Sequence, residues 1–151
     1  KNIKFTLAGI YNPNDKYSID PKLYGKIKNN ENFDIIGFTN NIEKCIVNSD
    51  CVLLTSQREG MPMSLLQSGA IGRPIIASNV PGCNKIVINN FNGFLYESGN
   101  FEDLYSKMHM IINLDKQKLL EFSYNCHDFV SNNFSSKDVN ENYFSIIKKI
   151  L

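Results

Sequence analysis

Apolar residues fall along the chain in short runs rich in β-branched and aromatic side chains: Ile3 to Leu7, Phe33 to Ile36, Cys51 to Leu54, Pro74 to Ala77 and Gly93 to Tyr96. A strand with one wet face alternates apolar with polar residues. These runs are near-continuous, as the strands of a parallel sheet covered on both faces must be. Between them, helical spacing governs Pro21 to Lys28, Asn41 to Val47, Met63 to Ile71 and Gly82 to Val87. Strand and helix therefore alternate, which predicts an α/β fold with a doubly wound parallel sheet.

After Tyr96 the period becomes helical throughout. Phe101, Leu104, Tyr105, Met108, Ile111 and Ile112 define one face; Leu119, Phe122, Cys126 and Phe129 a second; Val139, Tyr143, Ile146, Ile147 and Ile150 a third. Three closing helices are expected, with breaks at Asn113 to Asp115 and Ser131 to Ser136, where Ser135 or Ser136 can cap the last. There is no internal repeat and no linker composition, so residues 1–151 read as a single domain.

Composition narrows the function classes. A formal charge of +1, with 42% hydrophobic and 21% charged residues, is that of a globular domain and excludes a basic nucleic-acid arm or a disordered tail. No apolar run reaches the ~18 residues that span a bilayer. Cys45, Cys51, Cys83 and Cys126 have no CxxC spacing and sit among apolar neighbours, so reduced thiols and a cytoplasmic location are expected. The chain begins Lys-Asn-Ile-Lys-Phe, with neither Met nor a signal peptide, and reads as cut from a longer protein.

Chemistry concentrates between Thr55 and Gly82, TSQREGMPMSLLQSGAIGRPIIASNVPG. This segment follows a strand, crosses a polar loop containing Gly60 and Pro62, and enters a helix at Met63 or Ser64. Ligands of open α/β sheets bind beyond the carboxyl ends of strands, and a helix N-terminus offers free N–H groups and partial positive charge. Both arginines of the chain, Arg58 and Arg73, lie here; each reads either as an oxyanion contact or as a structural residue, solvated for Arg58 and packed behind the helix for Arg73. Glu59 either complements the helix dipole or accepts from substrate hydroxyls beside the bare backbone of Gly60. Both readings of Glu59 can hold together. His109 and His127 read as surface or packing residues, and no His, Cys and carboxylate cluster has metal spacing. Ser56, Ser64 and Ser68 lack a histidine to activate them. Gly69 and Gly72 lie within a helix and its exit, not in a dinucleotide fingerprint.

The runs Ser56-Gln57-Arg58-Glu59-Gly60-Met61-Pro62, Leu65-Leu66, Gly72-Arg73-Pro74-Ile75-Ile76-Ala77-Ser78, Pro81-Gly82-Cys83 and Asn92-Gly93-Phe94-Leu95, in that order, resemble the C-terminal, donor-binding half of family 4 glycosyltransferases that build bacterial capsule, O-antigen and other surface polysaccharides. The resemblance covers nearly the whole chain. It implies a GT-B architecture, two Rossmann-like domains across a cleft, with this chain as the donor side. It also implies transfer from a UDP- or GDP-sugar to a saccharide or lipid-linked acceptor with retention, and no bound metal or cofactor. The acceptor would be held mainly by another domain, and peripheral membrane association of the intact protein is compatible with this.

By the same resemblance Glu59 would contact the donor sugar, Gly60, Met61 and Pro62 would present the loop backbone to sugar and diphosphate, Leu66 would pack near the ribose, and Gly37 and Phe38 would receive the base. The family's second glutamate, which hydrogen-bonds the ribose hydroxyls, falls at Gln67. Lys85 stands where a glutamate is common. The family's Arg and Lys diphosphate clamp lies on a first strand with no counterpart here, and loss of that strand is expected to leave sheet edges open. The isolated chain is expected to be inactive as a transferase. An alternative keeps the fold without turnover, as a catalytically weak or inactive sugar-nucleotide-binding or regulatory domain. A nucleotide-sugar epimerase or a phosphorylase would need a catalytic acid or cofactor lysine that this half does not offer.

Overall fold

The computed structural model describes residues 3–16, 18–135, 137, 140 and 144–148. Two compact units divide the chain, Lys1–Cys45 and Ile46–Leu151.

In the first unit, β1 (Phe5–Ala8) and β2 (Phe33–Gly37) pair in parallel with Phe5 opposite Phe33 and Leu7 opposite Ile35. The two phenylalanine rings stack at 5.0 Å. The crossover between these strands is α1 (Pro21–Lys28). Its start is written in Asp20-Pro21: the Asp20 carboxylate accepts from the N–H groups of Lys22 and Leu23 at 3.0 and 3.1 Å, and Pro21 occupies the first turn, where its missing N–H costs nothing. Lys26 and Lys28 complement the dipole at the other end.

The helix α2 (Ile42–Val47) leads into the second unit. There β3 (Val52–Leu54), β4 (Ile75–Ser78) and β5 (Gly93–Tyr96) form a parallel sheet in the order β3-β4-β5. The connections are α3 (Met63–Ile71) between β3 and β4, and the single turn α4 (Cys83–Ile86) between β4 and β5. Then α5 (Phe101–Ile112) and α6 (Lys116–Asn133) close the unit, capped by Asn100 and Asp115, whose side chains accept from the N–H groups of Asp103 and Lys118. Each unit carries its own parallel sheet, β1-β2 in the first and β3-β4-β5 in the second.

β4 is the centre of the core and is buried at every residue. Period two sends Ile75 and Ala77 into a cluster with Leu65, Ile86, Cys126 and Val130, and Ile76 into another with Phe94, Tyr96 and Phe122. Gly72 ends α3 in the left-handed region, at φ 80°, beneath the Ser123 carbonyl of α6. Asn92 is wholly buried: its amide donates to the Ile86 carbonyl at 2.9 Å, its side-chain oxygen accepts from Ile88 N–H at 2.8 Å, and its own carbonyl accepts from the Cys126 thiol at 2.9 Å.

Several expectations change in detail. Burial on both faces holds for β4 and nearly for β5, but β1 and β3 alternate between half-buried and exposed residues. Among the described residues β1 pairs only with β2 and β3 only with β4, so each presents one edge without a strand neighbour. Cys83 and Cys126 are buried, whereas Cys45 and Cys51 are half-buried. The break expected from Ser131 comes later, because α6 runs to Asn133. Val139, Tyr143, Ile150 and the candidate cap Ser136 lie outside the described residues; residues 144–148 are helical, with Phe144, Ile146 and Ile147 exposed.

Candidate functional site

The loop from Thr55 to Pro62 joins the carboxyl end of β3 to the start of α3. Pro62 occupies the N-cap with extended backbone and supplies no capping side chain. Leu65 and Leu66 bond back to the Pro62 carbonyl at 3.1 and 3.2 Å, so in the first turn of α3 the N–H groups of Met63 and Ser64 are the ones left for another acceptor. Leu65 is fully buried and anchors the helix, leaving Ser64, Leu66 and Gln67 half-buried. Pro62 is buried, Glu59 is half-buried, and Arg58, Gly60 and Met61 are exposed. One strand-to-helix connection thus gathers Arg58, Glu59, Gly60, Met61, Pro62, Leu66 and Gln67. Gly37 and Phe38 lie in the first unit, where Gly37 ends β2 at φ 65° and Phe38 is 69% exposed.

The β4–α4 connection supports the loop. Ser78, fully buried at the end of β4, donates its hydroxyl to the Ser56 carbonyl. Gly82 has φ 92°, and a Cβ on it would run into the carbonyls of Glu59 and Gly60; only glycine combines that conformation with so close an approach. Burial pushes the Cys83 thiol above its ordinary range, a hydrogen bond with the Ser78 side chain opposes the shift, and the negative charge of Glu59 adds to it. Tyr96 is likewise raised, by burial first and then by Cys83. Sequence reasoning names Pro81-Gly82-Cys83 but misses Ser78 as a partner of the loop. The available signal is a hydroxyl at the inner end of an otherwise apolar buried strand.

The remaining candidates separate cleanly. Arg73 donates from Nη2 to the Val47 carbonyl at 2.5 Å, while its buried Nε finds no partner among the described residues, so the packing reading holds for it. His127 sits with Nδ1 2.7 Å from the Ala70 carbonyl, tying α6 to the end of α3. His109 is exposed beside Asn113. Lys85 is exposed on α4. Among the described residues no group of three His, Cys, Asp or Glu side chains is placed to hold a metal ion, and no helix is long and apolar enough to cross a membrane. An open recess of about 410 Å³ lies where β5 runs into α5, lined by Glu97 to Glu102. Its two glutamates make it a poor receptor for an anion.

Parallel strands joined by crossover helices define the class: an α/β protein with Rossmann-like parallel sheets. The chain belongs to the glycosyl transferases group 1 family, whose model matches residues 1–127. It is 34% identical over 102 residues to an Escherichia coli UDP-Gal:alpha-D-GlcNAc-diphosphoundecaprenol alpha-1,3-galactosyltransferase, covering 67% of this chain and 26% of the relative. It is 27% identical over 150 residues to the Staphylococcus aureus capsular polysaccharide biosynthesis glycosyltransferase CapM, covering 99% of this chain and 39% of the relative. The chain therefore spans well under half of each. The crystal structure of Anabaena HepE in complex with UDP superposes with a TM-score of 0.87 at 20% identity, over 97% of this chain and 41% of that one. The fold is that of one Rossmann-like half of a GT-B glycosyltransferase.

Proposed function

We propose that this chain is the donor-binding half of a retaining glycosyltransferase that moves a sugar from a UDP- or GDP-sugar to a surface polysaccharide or lipid-linked saccharide. The observation that carries the reading is the β3–α3 connection, where a half-buried carboxylate and an exposed glycine precede an uncapped helix N-terminus. Backbone N–H groups at Gly60 and Met61, with the first turn of α3, suit the diphosphate. Glu59 then faces the sugar, where it accepts from hydroxyls and stabilises positive charge as the glycosidic bond lengthens. Leu66 and Gln67, on the next turn of α3, suit the ribose. Arg58 is exposed and long enough to reach an oxyanion. Turnover needs the acceptor held against the same centre, so activity belongs to the intact protein, acting in the cytoplasm where lipid-linked acceptors meet the inner membrane face. The UDP-sugar, undecaprenol-linked and capsular chemistry in the names of the relatives supports the reading.

The test is turnover of a panel of UDP- and GDP-sugars by the intact protein, with and without lipid-linked saccharide. Glu59→Ala is expected to lower the rate at least about a hundredfold, the scale of losing one electrostatic group at a reacting centre. An unchanged rate would contradict the role given to Glu59. Gln67 and Lys85 favour a second reading, a sugar-nucleotide-binding domain without turnover. Nucleotide binding by an intact protein that transfers and hydrolyses nothing would establish it.

A further inference from the structure

The β4–α4 connection makes two separate contacts with the loop, one on each side of Glu59. From the sheet side, the Ser78 hydroxyl holds the carbonyl of Ser56. From the turn side, Gly82 lies against the carbonyls of Glu59 and Gly60. Ser78 is wholly buried at the end of a strand whose other residues are Ile75, Ile76 and Ala77. Core packing there asks only for a small side chain, and alanine would serve. Burying a hydroxyl carries a desolvation cost that is met only when the group is hydrogen-bonded. The partners it has are the Ser56 carbonyl and the Cys83 sulfur, the latter in the turn that also carries Gly82. Residues 56–60 are thus pinned at both ends by one neighbouring connection, while α3 is also anchored along α6, where Gly69 lies against Val130 and the Cys126 carbonyl.

We propose that Ser78 and Gly82 are positioning residues that fix the carboxylate of Glu59 relative to the N-terminus of α3. The inference rests on the donor-site reading of Glu59 and goes beyond it, because it assigns the accuracy of that carboxylate to a different connection of the sheet. Displacing a reacting group by about 1 Å can cost on the order of a hundredfold in rate. Nucleotide contacts made through α3 do not depend on the same pins, whereas those of the Gly60 and Met61 amides do, so the rate should fall by more than the nucleotide affinity.

The experiment measures donor-sugar hydrolysis by the intact protein, the dissociation constant of UDP or GDP, and the melting temperature, for Ser78→Ala, Ser78→Thr and Gly82→Ala. In Ser78→Ala and Gly82→Ala, kcat is expected to fall about ten- to a hundredfold with nucleotide affinity falling several-fold less than kcat, and Ser78→Thr, which keeps the hydroxyl, is expected to recover most of the loss at that position. Unchanged kcat in either variant overturns the proposal. So does a parallel fall of kcat, nucleotide affinity and melting temperature that threonine does not rescue, since that is the signature of a structural residue. If Gly82→Ala fails to fold, Ser78→Ala and Ser78→Thr decide by the same criteria. A wild-type protein that turns over no UDP- or GDP-sugar overturns the donor-site reading, and the inference with it, before any variant is made.

Discussion

Gln67 lies half-buried on the second turn of α3, where the family resemblance places a carboxylate over the ribose. A carboxamide accepts through one neutral oxygen, and a charge-assisted bond exceeds a neutral one by about 1 kcal/mol. Gln67→Glu is therefore expected to tighten UDP or GDP binding about fivefold, read by titration calorimetry on the intact protein. Unchanged or weaker binding would mean that this residue does not face the ribose. Glu59, Gly60 and Pro62 were legible in the sequence because loop chemistry is local: charge, glycine and proline within a few residues. The role of Ser78 was not, because its partner lies 22 residues away at Ser56. Arg73 carried two readings, an anion contact or packing behind the helix, and its guanidinium, reaching back to the Val47 carbonyl, decides for packing.

The pairing of α3 with α6 orients the helix whose N-terminus the site uses. Its faces are set by Cys126 and Val130 on α6 and by Leu65 and Gly69 on α3. Phe122, also buried on α6, packs instead against the sheet, 5.5 Å from Phe94 of β5 between ring centroids. Phe122→Ala is expected to destabilise the fold by about 3–5 kcal/mol, measured by chemical denaturation; a loss below 1 kcal/mol would contradict its place in the core. The bounds of α1, α3 and α5 match their sequence patterns, since each has a long apolar period and clear stop signals. The strands shift by a residue or so, and β1 and β3 are less covered than continuous apolar runs implied. An apolar run records that a strand can be buried on both sides. It cannot record whether neighbouring elements supply the cover.

At the scale of the molecule, the second unit is organised around β4, with the candidate site at the end of its neighbour β3 and its supports at the end of β4 itself. Two thiols in this unit make stability depend on alkaline pH: burial pushes both Cys51 and Cys126 up to about 12 from an ordinary value of 9.0. Each binds its proton more tightly folded than unfolded, so its contribution is complete below pH 9 and is lost as pH rises from there toward about 12. The melting temperature is expected to fall over that window, and less steeply in Cys126→Ala; a flat profile from pH 8 to 11 would contradict the burial of these thiols. The alternation of strands and helices and the family are legible in the sequence, from apolar runs and from motifs in order. The anchoring of the site loop is not, because it depends on contacts between two connections that only the folded sheet brings together.

The central claim is that the loop from Arg58 to Pro62 and the first turn of α3 receive the diphosphate of a nucleotide sugar. Backbone hydrogen exchange of the intact protein, with and without saturating UDP or GDP, tests it most directly. Nucleotide is expected to slow exchange at Gly60, Met61, Met63 and Ser64 at least about tenfold, with little change at Phe101 to Ile112. Nucleotide that binds while leaving those amides unprotected, or that protects the recess at Glu97 to Glu102 instead, would contradict it.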